Sequence, residues 1–160
     1  MKKLKPKVKI IIAALVVVAV VLLIIFLLSI NKKVYSPTQI TKIFESNNLI
    51  ITDLEALGES EFNSHLEARN KESSFKIEYF QFSNEKQAEK YYEKIITSLE
   101  TETGGLKGKV ETNKIGFYKY TLEASGNYLV MVRSKNTIIY ENTNEKNKEL
   151  VDNIIKSLKY

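Results

Sequence analysis

Few residues in this chain have the chemistry that catalysis or metal binding needs. There is one histidine, His65, and no cysteine. Nucleophilic triads and most zinc sites need histidine converging with cysteine, serine, aspartate or further histidines. His65 therefore reads as a surface or strand residue, and the sequence offers no catalytic group, no metal ligand set and no cofactor site. Asp53 and Asp152 are the only aspartates, too few for the clustered oxygens of a Ca²⁺ loop. Paired carboxylates remain, in "EALGESEF", where Glu55, Glu59 and Glu61 lie in or beside a turn. A glycosidase-like pair would need one of them buried with a raised pKa; the segment reads as a solvated loop. "GGLKGKV" looks like a phosphate loop but is one residue short, and no Ser or Thr follows the lysine. It reads as a turn.

The aromatic residues are the most suggestive feature. Tyr91, Tyr118, Tyr120, Tyr128 and Tyr140 each carry a hydroxyl that wants a partner, so they cannot all be deep core. They read either as the wet rim of a sheet or as an exposed row that binds glycan, peptide or protein. Arg133 ends an apolar strand and reads either as a semi-buried anchor for a ligand or as a structural hydrogen-bond donor. The candidate binding surface is thus Tyr118, Tyr120, Tyr128, Arg133 and Tyr140. Glu85, Glu89 and Glu93 beside Lys86, Lys90 and Lys94 read as a solvated helix face.

Those residues sit on elements with clear signatures. "SPTQ" predicts a helix start, with Ser36 as N-cap, Pro37 at N1 and Gln39 closing a capping box. Ile40, Ile43 and Phe44 supply a short apolar stripe before Asn47 and Asn48 end it. "LIITDLEAL", "HLEARN" and "SFKIEYFQF" predict strands. In the last, Phe75, Ile77 and Tyr79 alternate while Phe80 and Phe82 take the opposite phase, which predicts a bulge or a strand buried on both sides. Asn84 caps a long amphipathic helix with Ala88, Tyr92, Ile95, Ile96 and Leu99 on one face. "TETGGLKGK" reads as a loop or hairpin connection. Three strands follow as a meander, with turns at Gly126–Asn127 and Lys135–Asn136. A final helix presents Leu150, Val151, Ile154, Ile155 and Leu158. "IITSL" and "IIKSL" echo each other, and read as coincidence between two similarly capped helices. Short connections predict a mainly antiparallel sheet. Single apolar faces predict helices packed on one side of it, giving a two-layer α+β domain.

The opening segment decides where that domain works. Residues 10–30 form an apolar run of 21 residues without charge, Pro or Gly. As a helix it would span roughly 31 Å, the thickness of a bilayer core. A secretory signal has a shorter apolar region and a small-residue cleavage site; "FLLSINKK" offers neither. The run reads as an uncleaved transmembrane helix. Five lysines precede it in residues 1–9, and Lys32 and Lys33 follow, so the N-terminus is expected in the cytoplasm and residues 36–160 outside. The linker, residues 31–35, can hold the domain no further than roughly 20 Å from the membrane. Five of the 24 basic side chains fall before residue 31 and no acidic one does, which leaves residues 31–160 with 19 of each and no net charge. A nucleic-acid partner is not expected. The lack of cysteine means that core packing alone holds the domain.

"IEYFQFSNEKQAEKYYEKI", "YLVMVRSKNTIIY" and the terminal helix ending in "LKY" resemble a group of small uncharacterised membrane-anchored or lipoprotein-type extracytoplasmic proteins of Gram-positive bacteria. The resemblance covers most of residues 36–160 and implies a bacterial cell-envelope location. It carries no activity or site with it. The chain departs from lipoprotein members in having a span where they have a lipidated cysteine. The expected function is a membrane-anchored binding or adaptor domain whose partners are the membrane and an envelope protein or glycan. The alternatives are an accessory factor of immunity or stress-response type acting on a membrane protein and, at lower weight, a carboxylate-based envelope hydrolase.

Overall fold

The computed structural model describes residues 15–24, 34–54, 62–72, 74–106, 108–114 and 116–158. It divides into two compact units, Met1–Lys32 and Lys33–Tyr160. In the first, residues 15–24 are helical (α1), and all ten side chains are apolar and exposed. The rest of the predicted span, the basic residues 1–9 and the carboxylates Glu55, Glu59 and Glu61 lie outside the described residues. Among the described residues, no helix is long and apolar enough to cross a membrane.

The second unit is an α+β fold around one seven-stranded sheet. Its elements are α2 (Pro37–Ser46), β1 (Ile50–Asp53), β2 (Ser64–Arg69), β3 (Lys76–Gln81), α3 (Glu85–Glu102), β4 (Lys109–Lys114), β5 (Phe117–Ala124), β6 (Asn127–Ser134), β7 (Thr137–Asn144) and α4 (Lys148–Ser157). The strand order is β1-β2-β3-β7-β6-β5-β4, and every neighbouring pair is antiparallel. The connection containing α3 carries the chain from the middle of the sheet to its far edge. The β4–β7 meander then returns to close β7 against β3.

Local chemistry sets the element ends as the sequence suggests. Ser36 and Gln39 form the reciprocal capping box of α2, and the Asn84 side chain accepts from the Gln87 amide at the start of α3. The β5–β6 turn lies one residue earlier than expected. It uses Ser125 and Gly126, both with positive φ, the conformation that a tight type I′ hairpin requires. The chain also forms a strand, β4, which begins at the end of the expected loop or hairpin connection and runs through residues that the sequence pattern assigns to no element.

The two-layer expectation is corrected, because helices cover both faces and the domain has three layers. One face packs α2 and α4 against the sheet through Ile40, Phe44, Val151, Ile154, Ile155 and Leu158, which meet Ile77, Tyr79, Val130, Val132 and Ile139. The other packs α3 through Ala88 and Tyr92 against Phe80, Phe82, Tyr120, Leu122, Leu129, Met131 and Ile138. Central strands are therefore apolar in both phases. In β6 every residue from Tyr128 to Ser134 is buried, and Ile77 and Phe80 of β3 belong to opposite clusters. Full burial of each large side chain contributes about 1.5–3 kcal/mol, so the unit needs no cross-link. Leu150, expected in the stripe of α4, is exposed.

Candidate functional site

The five residues expected to form a binding surface do not share one exposed row. Tyr128 belongs to the α2/α4 face, is buried, and donates its hydroxyl to Asp152 Oδ1 at 2.7 Å. Burial and that carboxylate hold its pKa far above the ordinary tyrosine value. Tyr120 lies on the α3 face, fully buried, and its hydroxyl accepts from the Gly108 amide at 3.0 Å. Tyr118 and Tyr140 are half-buried on the same face.

Arg133 is 3% exposed. Its guanidinium lies 4.2 Å from the Tyr118 ring centroid and 5.8 Å from that of Tyr92. Its Nη2 donates to Glu89 at 3.3 Å, and Nη1 lies 3.6 Å from Glu85. Two residues of the supposed solvated helix face thus clamp a buried cation. Burial pushes the neighbouring Tyr92 hydroxyl up to about 12, and the arginine partly offsets this. Arg133 is a fastener between β6 and the first turns of α3.

The open part of the domain lies elsewhere on the α3 face. Among the described residues two helices cover the opposite face and α3 alone covers this one, packing over β6 and β7. The surface of β2 and β3 beside it carries His65, Glu67, Arg69, Lys76 and Glu78, set on one side of the sheet by the pairing of His65 with Phe80, Glu67 with Glu78 and Arg69 with Lys76. Lys76 bridges Glu67 at 3.6 Å and Glu78 at 3.2 Å. His65 Nε2 meets Glu78 Oε1 at 3.2 Å, and the His65 ring stacks on Phe80 at 4.4 Å. Phe62 packs edge-on to His65, Phe82 and Tyr91.

Between this surface and α3 is a hollow of about 330 Å³, lined by Phe62, His65, Phe80, Tyr91 and Tyr140, with Glu78 and Glu102 at its sides. A second hollow of about 250 Å³ shares Leu99 and Glu102 with it and continues towards Ala124 and Asn127 at the β5–β6 hairpin. Stacked rings beside carboxylates can hold a ligand that has an apolar or cationic face. Among the described residues no group of three histidine or acidic side chains is placed to hold a metal ion. Of the five sequence candidates only Tyr140 lines the larger hollow. Phe62, Glu78 and Glu102 carried no local signal, because strand register and the packing of α3 bring them together.

The fold and hollow define an antiparallel α+β sheet domain with an aromatic groove under one helix. A scan against protein-family models, a search of curated proteins and a search of solved structures each return no match.

Proposed function

We propose that this chain is a membrane-tethered binding module of a bacterial cell envelope, with its N-terminus in the cytoplasm, residues 10–30 as a single span and the α+β domain outside. The observation that carries the reading is the aromatic hollow on the α3 face, lined by Phe62, His65, Phe80, Tyr91 and Tyr140. Phe80 is buried at its base, and Phe62, His65, Tyr91 and Tyr140 keep part of their surface open among the described residues. A helix apolar all round, as α1 is over residues 15–24, has no stripe to give a soluble core and suits a lipid surround. The resemblance to membrane-anchored envelope proteins points the same way. The role proposed is binding rather than catalysis: His65 is held by Glu78, while Ser98, which also lines the hollow, donates its hydroxyl to Glu102 and not to His65.

The reading is tested by placing the photo-reactive amino acid benzoylphenylalanine at Ser98, beside the hollow, or at Lys148 on the other face, in the full chain in its own membranes. One stoichiometric adduct from position 98 and none from 148 is expected. Adducts from both positions, or from neither, would remove the support for a binding groove.

A further inference from the structure

We propose that the two hollows flanking Leu99 and Glu102 take a basic polypeptide segment, one lysine or arginine side chain seated in each. The inference deepens the binding role just proposed and rests on it.

The charge of the lining argues for this occupant. Glu78 and Glu102 border the larger hollow and Glu102 the smaller, and among the described residues no lysine or arginine lines either. The Glu102 carboxylate accepts from the Ser98 hydroxyl at 2.9 Å and forms no ion pair among the described residues. Glu78 is already bridged by Lys76 and meets His65, so the charge left for a ligand is that of Glu102.

The helix end adds a second argument. Glu100 and Glu102 stand in the last turn of α3, which has no basic residue. The C-terminus of a helix carries partial negative charge and favours cations, so two carboxylates there oppose the local electrostatics. A bound ammonium or guanidinium would reverse that opposition.

The rings fit as well. Tyr140, Glu78 and Glu102 line the same hollow, so a cation seated there would meet the ring and carboxylate charge together. Leu99 between the hollows offers apolar surface to the aliphatic stem. On the far side of Tyr91 the surface turns positive, with Lys90 and Lys94 lining a third hollow of about 490 Å³. A basic segment is thereby steered to one side of the ring.

The experiment uses the full chain in nanodiscs of zwitterionic phosphatidylcholine, which do not themselves attract a basic peptide. Fluorescence anisotropy follows a short labelled peptide of alternating lysine and glycine with blocked ends. The same peptide with norleucine or glutamate for lysine, and chitotetraose as competitor, are the comparisons. The lysine peptide alone is expected to bind, and more weakly at high salt. Glu102→Gln, at an exposed position, is expected to weaken it roughly tenfold, while the double variant Lys90→Ala, Lys94→Ala leaves it unchanged or tighter. Lysine-peptide binding indifferent to Glu102→Gln overturns the inference. So does binding of chitotetraose without the peptide, which keeps the groove as a binding site for another class of ligand. If no probe binds, the basic-segment inference fails, and cross-linking from position 98 then decides separately whether the binding role stands.

Discussion

Glu141 in β7 is fully buried on the α2/α4 face, and neither carboxylate oxygen has a well-formed hydrogen bond. Taking a carboxylate out of water without a partner disfavours its charged form. Burial accordingly raises its pKa from 4.5 to about 8, and the Thr143 side chain beside it pulls back by less. The folded state keeps this proton to higher pH than the unfolded chain does. Stability from this group is therefore full below about pH 4.5 and declines as pH rises towards 8, by a total on the order of 4 kcal/mol. Urea unfolding of residues 34–160 at about pH 5 and pH 8.5 should show the loss. Glu141→Leu should flatten the profile and raise stability at the higher pH. A wild-type domain equally stable at both would contradict the assignment. Arg133 is also buried, but Glu85 and Glu89 and two tyrosine rings compensate it. Its partners reach in from half-exposed positions, which lets a cation sit under α3 at all.

At the scale of elements, β4 depends on a single glycine. A Cβ at Gly108 would lie 2.3 Å from the Tyr120 ring and 2.6 Å from the Thr121 carbonyl oxygen. One of these neighbours is backbone and the other is fully buried, so neither gives way easily. Gly108→Ala is expected to cost about 1–3 kcal/mol. Hydrogen exchange should show protection lost in β4 while β6 keeps its own; equal protection in both strands would show that the close approach is not needed. Periodicity could not reveal β4. Lys109–Lys114 is an edge strand dominated by charged and polar residues, with Val110 exposed, so it never alternates apolar with polar. The caps, the long helices and the meander were legible because Ser36, Asn84 and the stripes of α3 and α4 act within a few residues of themselves. Which face of the sheet each helix covers was not. A stripe shows that a helix is buried, not on what, and the one local clue was the two-phase pattern of Ile77, Tyr79, Phe80 and Phe82. Of the tyrosines singled out in the sequence, Tyr91 and Tyr140 line the hollow and the others do not, and their grouping was not legible. Tyr120 and Tyr128 lie in adjacent strands yet point to opposite faces, and the meeting of His65 with Glu78 depends on the β2–β3 register.

For the whole molecule, the proposed role depends on where the α3 face is presented. Seven lysines flank the apolar run, five before it and two after, and in the proposed topology this excess would retain the N-terminus in the cytoplasm. In that topology a linker of at most about 20 Å would keep the groove near the membrane. There the effective concentration of a membrane-bound partner would be about millimolar, so even a weak contact would be occupied. The chain has no cysteine, so single cysteines report its topology against a clean background. With Lys5→Cys or Lys156→Cys, a membrane-impermeant maleimide applied to intact cells is expected to label position 156 and not position 5, and after lysis both. Labelling of position 5 alone would place the domain in the cytoplasm and remove any envelope partner. Label on a soluble, shortened chain would mean that the apolar run is cleaved, and affinity would then have to come from the groove without the gain from tethering.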